Sequence, residues 1–253
     1  GRSIFVVPQC RIEQGALVPN DVTCSGINHK MGIKGSSTGT LNFGDHDDCV
    51  GYLLGEERQG MKIMFHMMNE ERTGVGIMGL ALSSSAYLHA VSYARNRVQG
   101  THVTQMMNPG AKPTVIINHP DVSRMLLWMK SHVEGMRTLC AFLGRCATLE
   151  RSARGEEAEA AAAMNELLRP VFKAGCTDTA VLVTSEAMQV YGGYGYCADY
   201  PAERLMRDSK ITTIYEGTNG IQAMDFTMRK LLMNRDQRNY RVFRERMMAT
   251  VAR

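Results

Sequence analysis

The chain has 253 residues, 44% of them hydrophobic and 21% charged, which excludes a disordered polymer and allows a sizeable core in one large or two smaller domains. Its net charge of +4 is too small to argue for nucleic-acid binding by itself. The charge is also uneven: residues 228–253 carry eight Lys or Arg against Asp236 and Glu245, with no aromatic interleaving or recognition motif, so this end reads as a solvated helix face or one set against an acidic neighbouring segment.

In chain order, residues 1–57 predict short strands. SIFVVPQ (3–9) and TGTLNFGD (38–45) flank an irregular polar stretch, with Gly, Pro, Asn and Asp as punctuation. Three or so strands cannot close a sheet, and residue 1 falls just before a strand, so the start reads as a boundary within a longer protein. From about residue 60 the period becomes helical. Met61, Phe65, Met68, Arg72, Val75, Gly79, Leu82 and Ala86 recur at steps of four and three, predicting one long helix to about Val98. A second span runs from Pro120 to about Leu149. The alanine-rich GEEAEAAAAMNELL (155–168) reads as an exposed connection with an acidic start, leading into a third helix over Pro170–Tyr191. A fourth covers Ile221 to about Asn234. The expected fold class is α+β, mainly α: a partial β domain (1–57), an antiparallel four-helix bundle (58–236) and a basic helical extension (237–253).

Seven cysteines (10, 24, 49, 140, 146, 176 and 197) form no CxxC and no zinc-type spacing, which suits a reducing compartment and gives no metal site. No uninterrupted apolar run approaches bilayer length and no signal-peptide pattern opens the chain, so the expectation is a cytoplasmic protein without a membrane span. Nineteen methionines against one tryptophan read first as flexible packing of helical cores and second as the lining of a pocket for a flexible apolar ligand.

Four stretches have the residue types for chemistry. Arg72 sits in the apolar stripe of the first long helix, where an unpaired charge is costly. Glu71 lies on the adjoining stripe, so the pair reads either as a structural ion pair or as the polar floor of a pocket. ARNRVQG (94–100) ends that helix with two arginines, as dipole compensation or as cations offered to phosphates. QVYGGYGYCADYPAERLMRD (189–208) brings glycines among aromatics, which allows close backbone approach to a flat group or a phosphate. Finally, IYEGTNGIQ (214–222) places a carboxylate between an aromatic and a glycine, just before a helix start. It is a solvated loop acid or a general base aimed into an apolar pocket.

Together these stretches resemble the acyl-CoA dehydrogenase family. The resemblance rests on AMQVYGGYGYCADYPAERLMRDSKITTIYEGTNGIQ, with KMGIKGSSTGTLNF, GYLLGEERQGMKIMFHMMNEER and YARNRVQG in support. It covers nearly the whole chain, from inside the family's middle β domain onward. HPDVSRML, VEGMR and the alanine-rich insertion look closest to the larger bacterial branch that includes 3-methylmercaptopropionyl-CoA dehydrogenase.

The resemblance implies flavin-dependent α,β-dehydrogenation of an acyl-CoA thioester. Glu216 would be the catalytic base for the α-proton, with β-hydride passing to N5 of FAD. Such a base needs a pKa raised toward neutrality and a polarised thioester carbonyl, here through the N–H of Glu216. Arg72, Glu71 and Gly217 would lie at the substrate. Arg97, Gln189, Gly192 and Gly193 would contact the FAD of a neighbouring subunit, and Thr218 and Asn219 the chain's own. The implied partners are an acyl-CoA, an electron-transferring flavoprotein and further copies in a homodimer or homotetramer. Two departures stand out: Arg97 is followed by VQG where the family usually has an aromatic and then glycine, and Gly220 stands where Glu is frequent. An acyl-CoA oxidase on the same scaffold and a non-catalytic helical assembly protein are the alternatives. Retention of Glu216 within its whole motif weighs against the second.

Overall fold

The computed structural model describes residues 1–252, apart from the side chain of His66. The chain divides into two compact units, residues 1–71 and 72–253, and the division falls within the first long helix, α1 (Gly60–Asn96).

The first unit holds six short strands in three antiparallel pairs. β1 (Ile4–Val6) pairs with β6 (Tyr52–Leu54), β2 (Cys10–Glu13) with β3 (Ala16–Pro19), and β4 (Val22–Ile27) with β5 (Gly39–Phe43). The stretch expected to be irregular therefore contains three strands. Its hidden hairpin turns on Gln14 and Gly15, both at positive φ (51° and 85°), so a two-residue turn of the left-handed kind sits where the usual Asn-Gly signal is missing. Asn20 is the buried knot of this unit: its side chain donates to Pro8 O (2.7 Å) and Val50 O (2.9 Å) and accepts from Val50 N (2.9 Å).

The second unit is helical. α2 (Pro120–Ser152) and α3 (Glu156–Tyr191) are long helices; α4 (Pro201–Lys210), α5 (Asn219–Met224), a π-helical segment over Asp225–Leu232 and α6 (Arg238–Val251) complete it. The expected stripe of α1 is confirmed from residue 72 on: Arg72, Val75, Ala86, Ala90 and Ala94 are buried. Ala86, Ala90 and Ala94 meet Met125, Met129, Val133 and Met136 of α2 and Phe172, Cys176, Val183 and Ala187 of α3 in one core. α1 also carries an 18-residue window of mean hydropathy 1.3, long and apolar enough to cross a bilayer by length and composition, contrary to the expectation from uninterrupted runs. A third of that window is buried inside the protein, and Ala86, Ala90 and Ala94 of the same helix lie in the bundle core.

Two helical expectations are corrected. The alanine-rich stretch is not an exposed connection: α3 runs unbroken from Glu156 to Tyr191, with Ala161, Ala163, Met164 and Leu167 buried and Pro170 inside the helix. Small alanines let that end pack closely, and tertiary burial overrides the helix-breaking tendency of proline. The fourth span is not one α-helix either, since it passes into the π-helical segment at Asp225.

Glycines set the approach of α1 to α3. A Cβ at Gly79 would lie 2.8 Å from Cys176 O, and one at Gly76 would lie 2.6 Å from the Phe172 ring. Among the methionines, 125, 129, 136 and 164 are buried, whereas Met106, Met107, Met224 and Met233 are widely exposed. The basic end pairs with acids of α3, as one of its two readings had it: Arg238 with Glu159 (2.5 Å) and Lys230 with Glu166 (2.7 Å). Burial works to raise the Glu166 carboxyl, but hydrogen bonds from Lys230 and Asn239 outweigh it and hold it low.

Candidate active site

The IYEGT stretch leaves α4 through a short 3₁₀ turn, Ile211–Thr213, and then reverses direction. Glu216 (φ 52°) and Gly217 (φ 86°) are consecutive left-handed residues. Thr218 caps the helix that follows, its hydroxyl accepting from Ile221 N at 3.2 Å. Glycine at 217 is demanded twice, by its φ and by space, since a Cβ there would sit 2.6 Å from Gln222 Nε2. Glu216 itself is half-buried.

Two helices hold this turn. From α3, Lys173 Nζ donates to Gly217 O and to Asn219 Oδ1, each at 2.9 Å. From α5, Gln222 Nε2 donates to Gly217 O at 3.2 Å. Asn219 is bound at both ends, its amide donating to Thr177 Oγ1 (2.9 Å) and Asp178 Oδ1 (2.7 Å). Lys173 is fully buried. Burial lowers its pKa to about 8, with Arg72 pushing the same way and Asp178 and Glu216 opposing.

Arg72 reaches the same place from α1. A Cβ on Gly217 would lie 3.6 Å from Arg72 Nη2, and Arg72 Nη1 pairs with Asp225 Oδ2 at 3.1 Å. The second oxygen of Asp225 lies 2.5 Å from Arg229 Nε. Arg72 Nε and Gln222 Oε1 are buried and find no hydrogen-bond partner among the described residues. The result is a half-buried carboxylate on a constrained turn, with two buried cations beside it and a spare donor on one of them. Such a site can accept a proton and steady a developing negative charge.

Residues 58–231 match the family model described as the acyl-CoA dehydrogenase C-terminal domain. The chain belongs to the acyl-CoA dehydrogenase family. It is 42% identical over 245 residues to a butyryl-CoA dehydrogenase of Syntrophomonas wolfei, covering 94% of this chain and 40% of that protein. It is 39% identical over 253 residues to the 3-methylmercaptopropionyl-CoA dehydrogenase of Ruegeria pomeroyi, covering 99% and 42%. The solved butyryl-CoA dehydrogenase of Megasphaera elsdenii superposes with a TM-score of 0.64 at 31% identity, over 83% of this chain and 49% of that one. The chain thus spans about two fifths of the length of these curated relatives.

Within this chain the expected site residues fall into two groups, with Glu71 apart from both. Glu216, Gly217, Thr218, Asn219 and Arg72 come together at the turn. Glu71 is exposed and belongs to the first unit. Arg97, Gln189, Gly192 and Gly193 gather at the far end of α3, about 24 Å along its axis from Lys173 at 1.5 Å per residue. There the Arg97 guanidinium lies 5.0 Å from the Tyr194 ring centroid, and Gly192 N closes on Gln189 O as the helix ends. Gly192 and Gly193 have open space where a Cβ would stand. Tyr93 and Tyr191 stack at 4.1 Å behind them.

Sequence reasoning missed Lys173, Gln222 and Asp225. Lys173 had a signal, because it shares the stripe of Cys176, Ala180, Val183, Ala187 and Val190 in the same way that Arg72 shares that of α1. Gln222 and Asp225 stand three apart on the fourth expected helix, a spacing that puts both on one face, and both are buried.

Proposed function

We propose that this chain is part of a flavin-dependent acyl-CoA dehydrogenase in which the Glu216 carboxylate takes the α-proton of an acyl-CoA thioester. The observation that carries the reading is the Glu216–Gly217 turn: a half-buried carboxylate on two left-handed residues, flanked by buried Lys173 and Arg72. The N–H of Glu216 polarises the thioester carbonyl, and Gly217 keeps the approach clear. Arg72, with its spare Nε, steadies the charge that develops as the proton leaves, and Glu71 lies near the substrate on the same helix.

The donor set at the far end of α3 fits FAD. Arg97 offers a cation, Gln189 an amide, and Gly192 and Gly193 unobstructed backbone, which suits an anionic dinucleotide with a flat base. These four would contact the FAD of a neighbouring subunit, and Thr218 and Asn219 the chain's own, which when bound supplies at N5 the acceptor for the hydride leaving the β-carbon. An electron-transferring flavoprotein is the onward acceptor, the assembly is a homodimer or homotetramer, and the location is cytoplasmic. Residues 1–57 then belong to the β domain, 58–236 to the bundle domain and 237–253 to a basic helical extension.

The test is Glu216→Gln in the full-length protein, assayed with an acyl-CoA series and ferricenium. Turnover should fall by about 10²–10⁴-fold with FAD and acyl-CoA still bound. Activity within a few-fold of wild type would remove Glu216 as the base, and peroxide formation in place of ferricenium reduction would make the enzyme an oxidase.

A further inference from the structure

A buried cation is ordinarily matched by a carboxylate, yet Lys173 Nζ spends its two hydrogen bonds on uncharged acceptors of a single turn: Gly217 O and Asn219 Oδ1, both at 2.9 Å. We propose that Lys173 is a positioning residue that holds the Glu216–Gly217 turn in its left-handed form and so fixes where the Glu216 carboxylate stands. The inference rests on the reading of Glu216 as the base.

A non-glycine residue at φ 52° is strained and persists only where its surroundings over-determine it. The restraints here are visible. Gly217 O accepts from α3 through Lys173 and from α5 through Gln222. Asn219, two residues on, accepts from Lys173 and donates to Thr177 and Asp178. Residues 173–178 of α3 thus clasp the turn at two points, and among the described residues Lys173 is the one side chain that touches both. Remove its Nζ and Gly217 O keeps only the longer bond, from Gln222, a side chain of the same local segment. The turn is then free to flip its peptide and carry the carboxylate with it.

The comparison is Lys173→Met in the full-length protein, with hydrogen exchange read on peptides covering 214–222 and steady-state kinetics beside it. Exchange in 214–222 should quicken while the rest of the bundle is unchanged. kcat should fall about 10–10²-fold, the scale for a displaced catalytic group, with KM within threefold. In the Glu216→Gln background the same substitution should lower kcat no further. Lys173→Gln keeps a polar head that falls short of the Gly217 carbonyl, and should behave alike if the methionine variant does not fold. Unchanged exchange in 214–222, or an unchanged kcat, would overturn the assignment. Failure of both variants to fold would make Lys173 a core residue only. If Glu216→Gln proves active, the base assignment fails separately, and the exchange comparison still decides whether Lys173 holds the turn.

Discussion

Arg72 Nη1 and Asp225 Oδ2 meet at 3.1 Å with side chains only 4% and 3% exposed, joining positions 153 residues apart. The guanidinium beside the proposed base is therefore anchored from the far end of the chain. Asp225→Asn strands the Arg72 guanidinium in the core and should cost about 3–5 kcal/mol in urea unfolding, whereas Arg72→Ala leaves Asp225 its contact with Arg229 and should cost less. The double change Arg72→Met with Asp225→Leu should recover most of that loss while leaving turnover impaired. Single variants with wild-type midpoints would show that the pair is solvated.

Gly79 and Gly74 lie on one helix and predict opposite outcomes. Gly79→Ala pushes a methyl toward Cys176 O, 2.8 Å away, and should destabilise by about 1–3 kcal/mol. Gly74 has open space around it, so Gly74→Ala should leave stability unchanged or raise it by up to about 1 kcal/mol through helix propensity. Thermal melts of the two variants check the α1–α3 approach directly.

Lys173 makes stability depend on alkaline pH. Burial lowers it from the ordinary 10.5 to about 8. Between those values the unfolded chain holds a proton that the folded chain has released, so unfolding free energy rises with pH. The stability difference between wild type and Lys173→Met should therefore shift in favour of wild type on going from pH 7.5 to pH 9.5. A flat difference would mean that Lys173 keeps its proton throughout, stabilised by Asp178 and Glu216 beyond the opposing push of Arg72.

Thiol reactivity should follow depth. Cys10, Cys24 and Cys197 are exposed, whereas Cys146 and Cys176 are buried. Burial pushes the Cys176 thiol up to about 12, leaving almost no thiolate to attack an alkylating agent. Iodoacetamide on the native protein, read by peptide mass spectrometry, should label the first three and spare the last two until urea is added.

The helical half was legible because its burial is periodic. The stripe through Arg72, Val75 and Ala86 gives both the helix and its inward face. The β half was harder, since β2 and β3 are four residues each and their turn, Gln14-Gly15, lacks a strong hairpin dipeptide. Pro170 misled because proline ordinarily ends a helix, and here burial along α3 carries the helix past it. At the site, the IYEGT motif and its resemblance pointed to Glu216 and its neighbours. The partners that hold the turn were not legible as partners: Lys173 meets Gly217 only after 44 intervening steps of chain, and no local pattern encodes that meeting.

Because the Glu216–Gly217 turn hangs from α3 by Lys173 and Asn219, its position is referenced to a helix that ended 25 residues earlier, at Tyr191. The segment Cys197–Tyr200, which joins the glycine-rich end of α3 to α4, contributes none of those tethers. An insertion there would be felt elsewhere: it would displace Tyr200 from Tyr93, Tyr191 and Tyr194 at the glycine-rich end of α3, while the tethers of the carboxylate stay in place.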